Sequence, residues 1–334
     1  MSNIRTAIVC MAANENLYIR DFVKWHVIIG FSKIFIIDNS PVNGEHMELI
    51  LADYIKAGKV QIIRMCKNTP KNPQYLQMIV YTEMFNIFRS QFDWMFFIDV
   101  DEFVMLTGKA GTFNINEFLD NERFADAEQI RFNWQCYGDN GKLYYDNEPV
   151  WKRFPNPMSD INKHDWAGPY PVNMTLKTAV RCTTEYANFI ATGSPHYPMT
   201  PSKENAIVVS PSGKKRPARR AVNFIDYELA FLAHYRTLTV TEYLYRRFNP
   251  YSLGNPTGAI HSEETLLKQF CVENEMTPAK QKIWDEYFDM IEREHPGLFK
   301  TENIQVMTRP SNDELLATLN DVRDVIIGKK IWNH

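Results

Sequence analysis

Residues 94–103, with the sequence WMFFIDVDEF, constrain the fold of this chain more than any other segment. A run of five apolar residues without period-2 alternation is typical of a strand that is buried on both faces in a parallel sheet. Asp99, Asp101 and Glu102 follow at once. An ionised carboxylate is costly to bury unless a cation or several hydrogen-bond donors meet it. The segment therefore predicts a buried strand that delivers acidic groups to the edge of a sheet.

The spacing of Asp99 and Asp101 places both side chains on the same side of an extended backbone. Open α/β sheets bind ligands in the crevice at the carboxyl ends of their strands, and carboxylate oxygens are hard ligands for a divalent cation. The pair therefore predicts a metal site, with a solvated acidic turn as the alternative. Ion pairs of these two carboxylates with lysine or arginine would contradict a metal site.

Composition restricts the class of protein. The chain has 334 residues, 45% apolar and 23% charged, which is enough to bury a substantial core in one large domain or in two. The net charge of −3 argues against nucleic acid as a partner. Five cysteines without C-x-x-C spacing favour a reducing compartment and no zinc site. Because no apolar run approaches the roughly 18 residues of a membrane span, we expect a cytoplasmic protein.

The first hundred residues repeat a strand–helix unit. The predicted strands and helices alternate as follows: strand 5–12, helix 17–29 ending at Gly30, strand 33–37, helix 45–57, strand 59–65, helix 76–88 and strand 94–98. This order predicts an α/β fold with a single doubly wound, mostly parallel mixed sheet whose first half is of the nucleotide-binding type. Neither G-x-G-x-x-G nor G-x-x-x-x-G-K-[ST] occurs in this half, which argues against a dinucleotide dehydrogenase and a P-loop enzyme.

Polar side chains follow the first two predicted strands. Asn14 and Glu15 come after the first strand, and Asp38 and Asn39 come after the second. The carboxyl ends of parallel strands meet at one edge, so we expect these groups to converge on the crevice that holds the two aspartates. Carboxylates there can accept hydrogen bonds from a ribose hydroxyl or a base N–H. The sequence DNSP at 38–41 is also a turn signal by itself.

The second half of the chain carries aromatic and polar residues together. A predicted strand at 128–135 leads into a loop with Trp134, Tyr137 and Asp139, side chains that sugar sites favour. The sequence DNG at 139–141 equally predicts a hairpin turn. Residues 142–173 have little periodicity and indicate a long functional loop.

Two later strands deliver further candidates. The segment 176–182 predicts a strand that exposes Lys177 and Arg181, and His196 follows in a turn-rich stretch. The segment 228–248 predicts an apolar strand that ends at His234, followed by a helix. A single histidine is more often a packed core residue than a catalytic one. His234 is a stronger candidate for the site because it ends an apolar strand, as Asp99 does.

A basic run and a helical tail complete the chain. The sequence PSGKKRPARR at 211–220 predicts either a solvated mobile loop or a contact with a pyrophosphate or with the inner, anionic face of a membrane. Residues 262–328 predict two or three amphipathic helices, which form a C-terminal helical region at 251–334 that packs on the sheet or serves assembly.

Taken together, these segments resemble inverting glycosyltransferases of the A-type fold (GT-A), close to the family-2-like bacterial enzymes and to glycosyltransferase family 92. The resemblance is strong over 5–106 and patchy through 128–248. It rests on these sequences: AIVCMAANENLYIRDFVKWHVIIGFSKIFIIDNS at 7–40, WMFFIDVDEF at 94–103, NWQCYGDNG at 133–141, KTAVR at 177–181, and the pair His234-Tyr235.

The resemblance implies a metal-dependent, inverting transfer of a hexose from a nucleotide sugar, UDP-linked, to a saccharide or glycolipid acceptor in surface polysaccharide or lipo-oligosaccharide synthesis. Residues 1–250 would form the catalytic domain, with a nucleotide-binding half at 1–106 and an acceptor-binding half at 107–250. A cation that bridges the diphosphate oxygens would stabilise the charge that develops as the sugar–phosphate bond breaks.

Site residues carry over from the resemblance by position. Asp101 would bind Mn²⁺ or Mg²⁺, Asp99 would contact the ribose or donor sugar and reach the metal, and His234 would complete the metal shell, with His196 as the alternative. The remaining residues implied for the nucleotide sugar are Ala12, Asn14, Glu15, Asp38, Asn39, Lys177, Arg181 and His196. An inverting displacement also needs a carboxylate to take the proton of the acceptor hydroxyl, and the candidates are Asp139 and Glu102.

Two other functions fit the sequence. A nucleotidyltransferase also uses paired carboxylates and a divalent ion, although it usually has a Gly/Lys-rich phosphate loop near its N-terminus. A non-catalytic protein that binds a nucleotide or carbohydrate could keep the same fold. The sequence leaves the oligomeric state open.

Overall fold

The computed structural model describes residues 4–41, 44–65, 73–164, 170–184, 196, 206–217, 224–248, 262–294 and 311–329. Within these ranges the strands are β1 (Thr6–Ala12), β2 (Lys33–Asp38), β3 (Val60–Arg64), β4 (Trp94–Phe97), β5 (Glu102–Leu106), β6 (Gln129–Cys136), β7 (Leu176–Arg181), β8 (Val208–Val209), β9 (Lys215–Arg216) and β10 (Ala230–His234). The helices are α1 (Ile19–Ile28), α2 (Met47–Ile50), α3 (Ala52–Lys56), α4 (Pro73–Phe88), α5 (Ile115–Leu119), α6 (Val150–Arg153), α7 (Val240–Phe248), α8 (Glu263–Glu273), α9 (Pro278–Glu294) and α10 (Asn312–Ile326).

One mixed sheet contains the ten strands of the described ranges, in the order β3-β2-β1-β4-β7-β6-β10-β5, with β8 and β9 added beside β6. The first four strands are mutually parallel. Strand β7 is antiparallel to both β4 and β6, β10 is parallel to β6, and β5 returns antiparallel to β10. The predicted α/β fold with a mostly parallel mixed sheet is confirmed.

Both faces of the central strands are buried, as their continuous apolar sequences predict. In β1 the side chains of Ile8 and Cys10 join one core, which α1 and α5 cover. The alternate residues Ala7 and Val9 join a second core, which α4 and α10 cover. This period-2 division explains why residues 7–12 of β1 and all of β4 are apolar.

The predicted strands 5–12, 33–37, 59–65 and 94–98 agree with β1 to β4 to within one or two residues. Helix α1 ends just before Gly30, whose φ of +102° lies in the region that favours glycine. The predicted helix over 45–57 is instead two short helices, with the break at the buried Leu51. The sequence does not predict the strand β5, because its apolar residues follow the carboxylates without a turn signal.

The C-terminal helices pack on the sheet domain. Helices α8 and α9 form a third core with α7 through Tyr243, Phe270 and Trp284. Helix α10 contributes Val322 and other apolar residues to the second core beside α4, and Arg323 on α10 pairs with Glu83 on α4 at 2.6 Å. The described helices include none that is long and apolar enough to cross a membrane.

His26 connects α1 to β5. Its Nδ1 lies 2.8 Å from the carbonyl oxygen of Phe22, and its Nε2 accepts the backbone N–H of Val104 at 3.2 Å. The buried ring also packs against Phe31 and Phe103. Since Nε2 is an acceptor, the ring is neutral and Nδ1 carries the proton that it donates to Phe22.

We expect acid to destabilise the protein through His26. Burial lowers the pKa of His26 to about 3, against about 6.5 in an unfolded chain. The unfolded state therefore binds more protons between these values, and stability falls as the pH drops through this window, by up to about 1.4 kcal/mol per pH unit. Urea unfolding of the wild type and of His26→Gln at pH 7 and pH 5 measures this loss. Equal pH dependence in both proteins would contradict it.

Candidate active site

Charged side chains from four elements meet at the carboxyl edge of the sheet. Asp99 and Asp101 follow β4, His234 ends β10, and Arg246 comes from α7. Strand β7 contributes Lys177 at the same edge because it runs antiparallel to β4, with Thr178 paired to Phe97. The predicted convergence of Asp99, Asp101 and His234 thus has a structural basis in the order of the strands.

Asp99 is held by Lys177. The lysine Nζ lies 2.5 Å from Asp99 Oδ2, while the amide of Gln77 donates to Oδ1 at 2.8 Å and the hydroxyl of Tyr81 lies 3.4 Å away. Lys177 is 1% exposed, so the prediction that β7 exposes it is wrong. Burial alone would lower the pKa of Lys177, but Asp99 and Glu102 raise it and keep the ammonium charged. Asp99 is therefore engaged at both oxygens and does not fit as a metal ligand.

Glu102 fixes the turn between Asp99 and Asp101. Its Oε2 accepts the backbone N–H of Asp99 at 2.8 Å, and its Oε1 accepts the indole N–H of Trp134 at 2.6 Å. The side chain is fully buried, and burial raises its pKa well above the ordinary value. A carboxylate with both oxygens occupied inside the protein cannot meet an acceptor hydroxyl, so the geometry does not support Glu102 as the catalytic base.

Asp101 and His234 face each other across the same edge. The backbone N–H of Tyr235 donates to the Asp101 carbonyl at 2.9 Å, which places Asp101 Oδ1 3.6 Å from His234 Nε2. Burial would raise the pKa of Asp101, but His234 and Arg246 more than offset this and hold the pKa below its ordinary value. The ring of His234 packs on Trp134, with centroids 4.0 Å apart. Because Glu102 accepts the indole N–H of Trp134, it also helps to position the histidine.

The pair formed by Asp101 and His234 fits a divalent ion better than Asp99 does. A separation of 3.6 Å exceeds a hydrogen bond and is compatible with two ligands of one cation. Arg246 forms an ion pair with the other oxygen of Asp101, at 3.4 Å from both guanidinium NH₂ groups. Both aspartates therefore have the ion pairs that count against a metal shared by Asp99 and Asp101, and it is Oδ1 of Asp101 that faces His234. No group of three or more His, Cys, Asp or Glu residues suited to a metal occurs among the described residues. The metal site stays a prediction, and of its three predicted side chains Asp101 and His234 are the two that face each other.

Arg246 is a site residue that the sequence prediction missed. Its Nη2 lies 3.2 Å from Glu15 Oε1, so the guanidinium bridges Glu15 and Asp101. Burial raises the pKa of Glu15 to about 7, although Arg246 opposes that shift. A narrow pocket beside this group is also lined by Tyr18 and Tyr235. The doublet at 246–247 is visible in the sequence, but only the packing of α7 brings it to the carboxyl edge.

The first two strands end in a tightly bonded elbow. The carbonyl of Ala12 accepts the N–H of Asn39 at 2.7 Å, and Asn14, with φ of +52°, accepts the N–H of Glu45 at 3.1 Å. Asp38 is fully buried and accepts the N–H of Ser40 at 2.8 Å. Burial raises the pKa of Asp38. These contacts shape the elbow, and a role of these residues in binding a nucleoside stays a prediction.

Arg181 lies at the opposite edge of the sheet, because it pairs with Trp94 at the start of β4. Its guanidinium packs over the Trp94 ring at 4.4 Å and donates to the carbonyl of Ala127 at 2.6 Å. The prediction that it binds the nucleotide sugar is therefore wrong. His196 does lie near the site, with its ring 5.2 Å from Trp134. Burial lowers the pKa of His196 to about 3.

Asp139 links the sheet to the C-terminal helices. Its Oδ2 lies 2.5 Å from Lys280 Nζ, and its backbone N–H donates to Asn274 at 2.6 Å. It is buried, and none of these partners touches Asp99 or Asp101. This arrangement is that of a structural ion pair and does not support Asp139 as the catalytic base. A turn with positive φ does form at 140–141, but no described strand follows it, so the predicted hairpin is absent from the described ranges.

The aromatic and basic candidates around β6 are also largely structural. Trp134 and Tyr137 are 6% and 8% exposed, so neither presents an open face to a sugar. Arg216, in the predicted basic run, is buried and donates to Asn133 Oδ1 and to the carbonyl of Phe224. Arg219 and Arg220 lie outside the described residues. The buried guanidinium of Arg216 is not available to clasp a pyrophosphate.

A model of glycosyltransferase family 92 matches residues 5–270 of the chain. The chain belongs to glycosyltransferase family 92. This family 92 member is thus a glycosyltransferase, and the nucleotidyltransferase alternative is set aside. No curated protein sequence matches it significantly.

Solved structures similar to this family 92 member include that of S. aureus TarS, which is 11% identical over 99% of this chain and 56% of the TarS chain, with a TM-score of 0.34. The chain therefore spans little more than half of that protein. Residues 1–349 of S. aureus TarS in complex with UDP-GlcNAc are 10% identical over 97% of this chain and 82% of that chain, with a TM-score of 0.35.

Proposed function

We propose that this family 92 glycosyltransferase transfers a hexose from a UDP-linked donor to a saccharide acceptor with inversion, in the synthesis of a surface polysaccharide or lipo-oligosaccharide. Asp101 and His234 would hold Mn²⁺ or Mg²⁺. The observation that carries the proposal is the pair of these side chains, 3.6 Å apart at the carboxyl edge of a nucleotide-binding type of sheet, with Arg246 beside them.

Each charged group at this edge has a distinct part in the proposal. A bound divalent ion would neutralise the charge of the departing diphosphate. Arg246 adds a permanent positive charge, and a guanidinium matches phosphate oxygens with two parallel hydrogen bonds. Asp99 keeps 35% of its side chain exposed while Lys177 fixes its orientation. Its carboxylate can therefore accept a hydrogen bond from a hydroxyl of the donor.

Slow hydrolysis of the donor tests the proposal without knowledge of the acceptor. We expect the protein to release UDP from at least one of UDP-glucose, UDP-galactose and UDP-N-acetylglucosamine when Mn²⁺ is present, and to stop when EDTA removes the ion. A coupled assay for free UDP measures both rates. Hydrolysis that continues unchanged in EDTA would contradict the metal site, and nucleotide binding without any turnover would favour the non-catalytic alternative.

A further inference from the structure

A second opening lies between the acceptor half and the C-terminal helices. Residues 158–163 form one wall, and residues 272–275, where α8 ends, form the other. The volume of about 450 Å³ falls in the usual range of small-molecule sites. We call this opening the 158–275 cleft.

We propose that the 158–275 cleft binds a neutral saccharide unit of the acceptor. This inference rests on the proposed function, because it assigns a place to the acceptor of the same transfer reaction. The arguments come from the lining of the cleft, from its charge and from its position.

The lining suits the two kinds of surface that a sugar ring presents. Met158 and Val272 are buried and supply an apolar floor for C–H groups. Above them, Ser159, Asp160 and Lys163 are exposed at the rim. Hydroxyl groups of a sugar can donate to the carboxylate and accept from the ammonium, which also donates to the carbonyl of Cys271 at 2.6 Å. Asp160 is oriented by the N–H of Asn162, which donates to its Oδ1 at 2.9 Å.

The charge of the cleft favours the binding of a neutral sugar over that of a nucleotide. Asp160 and Glu275 place two carboxylates at the opening, against the single ammonium of Lys163. A third carboxylate, Glu273, is compensated by Arg236 at 2.8 Å. A diphosphate would meet a net negative rim, whereas a neutral sugar needs only hydrogen bonds. The cleft is therefore not a second donor site.

Both walls of the cleft are connected to the end of the strand that carries His234. Arg236, which pairs with Glu273 in the wall, follows His234 by two residues, so their Cα atoms are at most about 7 Å apart. On the other wall the N–H of Met158 donates to the carbonyl of Cys136, which pairs with His234 in the sheet. Both walls are thus tied to the strand ends that carry the Asp101–His234 pair.

An exposed aromatic ring stands next to the same wall. Tyr170 is 61% exposed. It adjoins Pro171, which pairs with His164, and the N–H of Val172 donates to the carbonyl of Lys163 at 3.0 Å. An exposed tyrosine that adjoins this wall through the backbone offers a flat face against which a second sugar ring can pack.

Saturation-transfer NMR with four tetrasaccharides, built of β-1,4-linked glucose, galactose, mannose or N-acetylglucosamine, tests the cleft. We expect at least one of them to bind the wild type, and the double variant Asp160→Ala/Lys163→Ala to weaken that binding at least about 5-fold. Tyr170→Ala should also weaken it. The matched control Lys282→Ala/Glu286→Ala removes an exposed pair on α9 and should bind as the wild type does.

Two results would overturn the saccharide cleft: no binding of any tetrasaccharide by the wild type, or unchanged binding by both cleft variants. Donor hydrolysis measured on the same preparations keeps the two proposals apart. If the wild type hydrolyses a UDP-sugar and the cleft variants bind the tetrasaccharides normally, only the cleft assignment fails. If the wild type hydrolyses no donor, the proposed function fails.

Discussion

Asp101→Asn should lower donor hydrolysis about 10²–10³-fold, the loss measured when one group that stabilises transition-state charge is removed. Asparagine has nearly the shape of aspartate and can still accept a hydrogen bond from Arg246, but it lacks the negative charge that a divalent ion requires. The hydrolysis assay with saturating Mn²⁺ measures the loss. Asp120→Asn, a change of the same chemistry at the exposed end of α5, is the control and should leave the rate unchanged.

A thermal shift distinguishes the loss of a metal site from the loss of folding. A ligand that binds only the folded state raises the melting temperature, and the stabilisation grows with the logarithm of the ratio of ligand concentration to Kd. We expect Mn²⁺ with UDP to raise the melting temperature of the wild type and of Asp120→Asn, but not that of Asp101→Asn. If Asp101→Asn keeps both the hydrolysis rate and the thermal shift, Asp101 does not bind the metal.

Lys177→Met should lower the free energy of unfolding by about 1–3 kcal/mol, because it removes the buried cation that compensates Asp99, while the 35% exposure of the Asp99 side chain lets water take up part of the remaining charge. Lys177 is 1% exposed and is the cation nearest to Asp99 Oδ2, at 2.5 Å, with Glu102 at 3.7 Å. Urea unfolding measures the free energy of unfolding. The exposed Lys282→Met, whose partner Glu286 lies 3.8 Å away, should change it by less than about 0.5 kcal/mol.

A double-mutant cycle shows whether the loss comes from the ion pair. Since Asp99→Asn removes the charge that Lys177 compensates, Lys177→Met should cost less in that background. We expect a coupling energy of about 1–3 kcal/mol, the range found for residues in contact. A cost of Lys177→Met that is the same in both backgrounds would mean that the lysine acts through packing alone.

The sequence predicts the part of the sheet in which burial on both faces of a strand produces a continuous apolar run. Strands β1 to β4 are buried on both faces and appear as apolar runs, and Asp99 and Asp101 follow the last of them. The antiparallel insertion of β7 between β4 and β6 carries no such signal. That insertion places Lys177 beside Asp99 and Arg181 at the far edge. The sequence showed both cations on one strand but not the direction of that strand.

The roles of single carboxylates were harder to predict than their presence. The sequence makes Asp139 and Glu102 candidate bases because they are acidic and close to site motifs. The structure instead gives each a buried structural partner, Lys280 for one and Trp134 for the other. The sequence gives no sign that Arg246 belongs to the site, because only long-range packing places it between Glu15 and Asp101. Contacts between residues far apart in sequence decide these roles.

Calorimetric titration of UDP, with and without Mn²⁺, tests the central claim most directly. If Asp101 and His234 hold a divalent ion that carries the diphosphate, UDP should bind at least about 10-fold more tightly with Mn²⁺, and Asp101→Asn and His234→Ala should each remove that gain. Equal affinity of the wild type for UDP with and without Mn²⁺ would contradict the claim, because the cations of the chain itself would then bind the nucleotide.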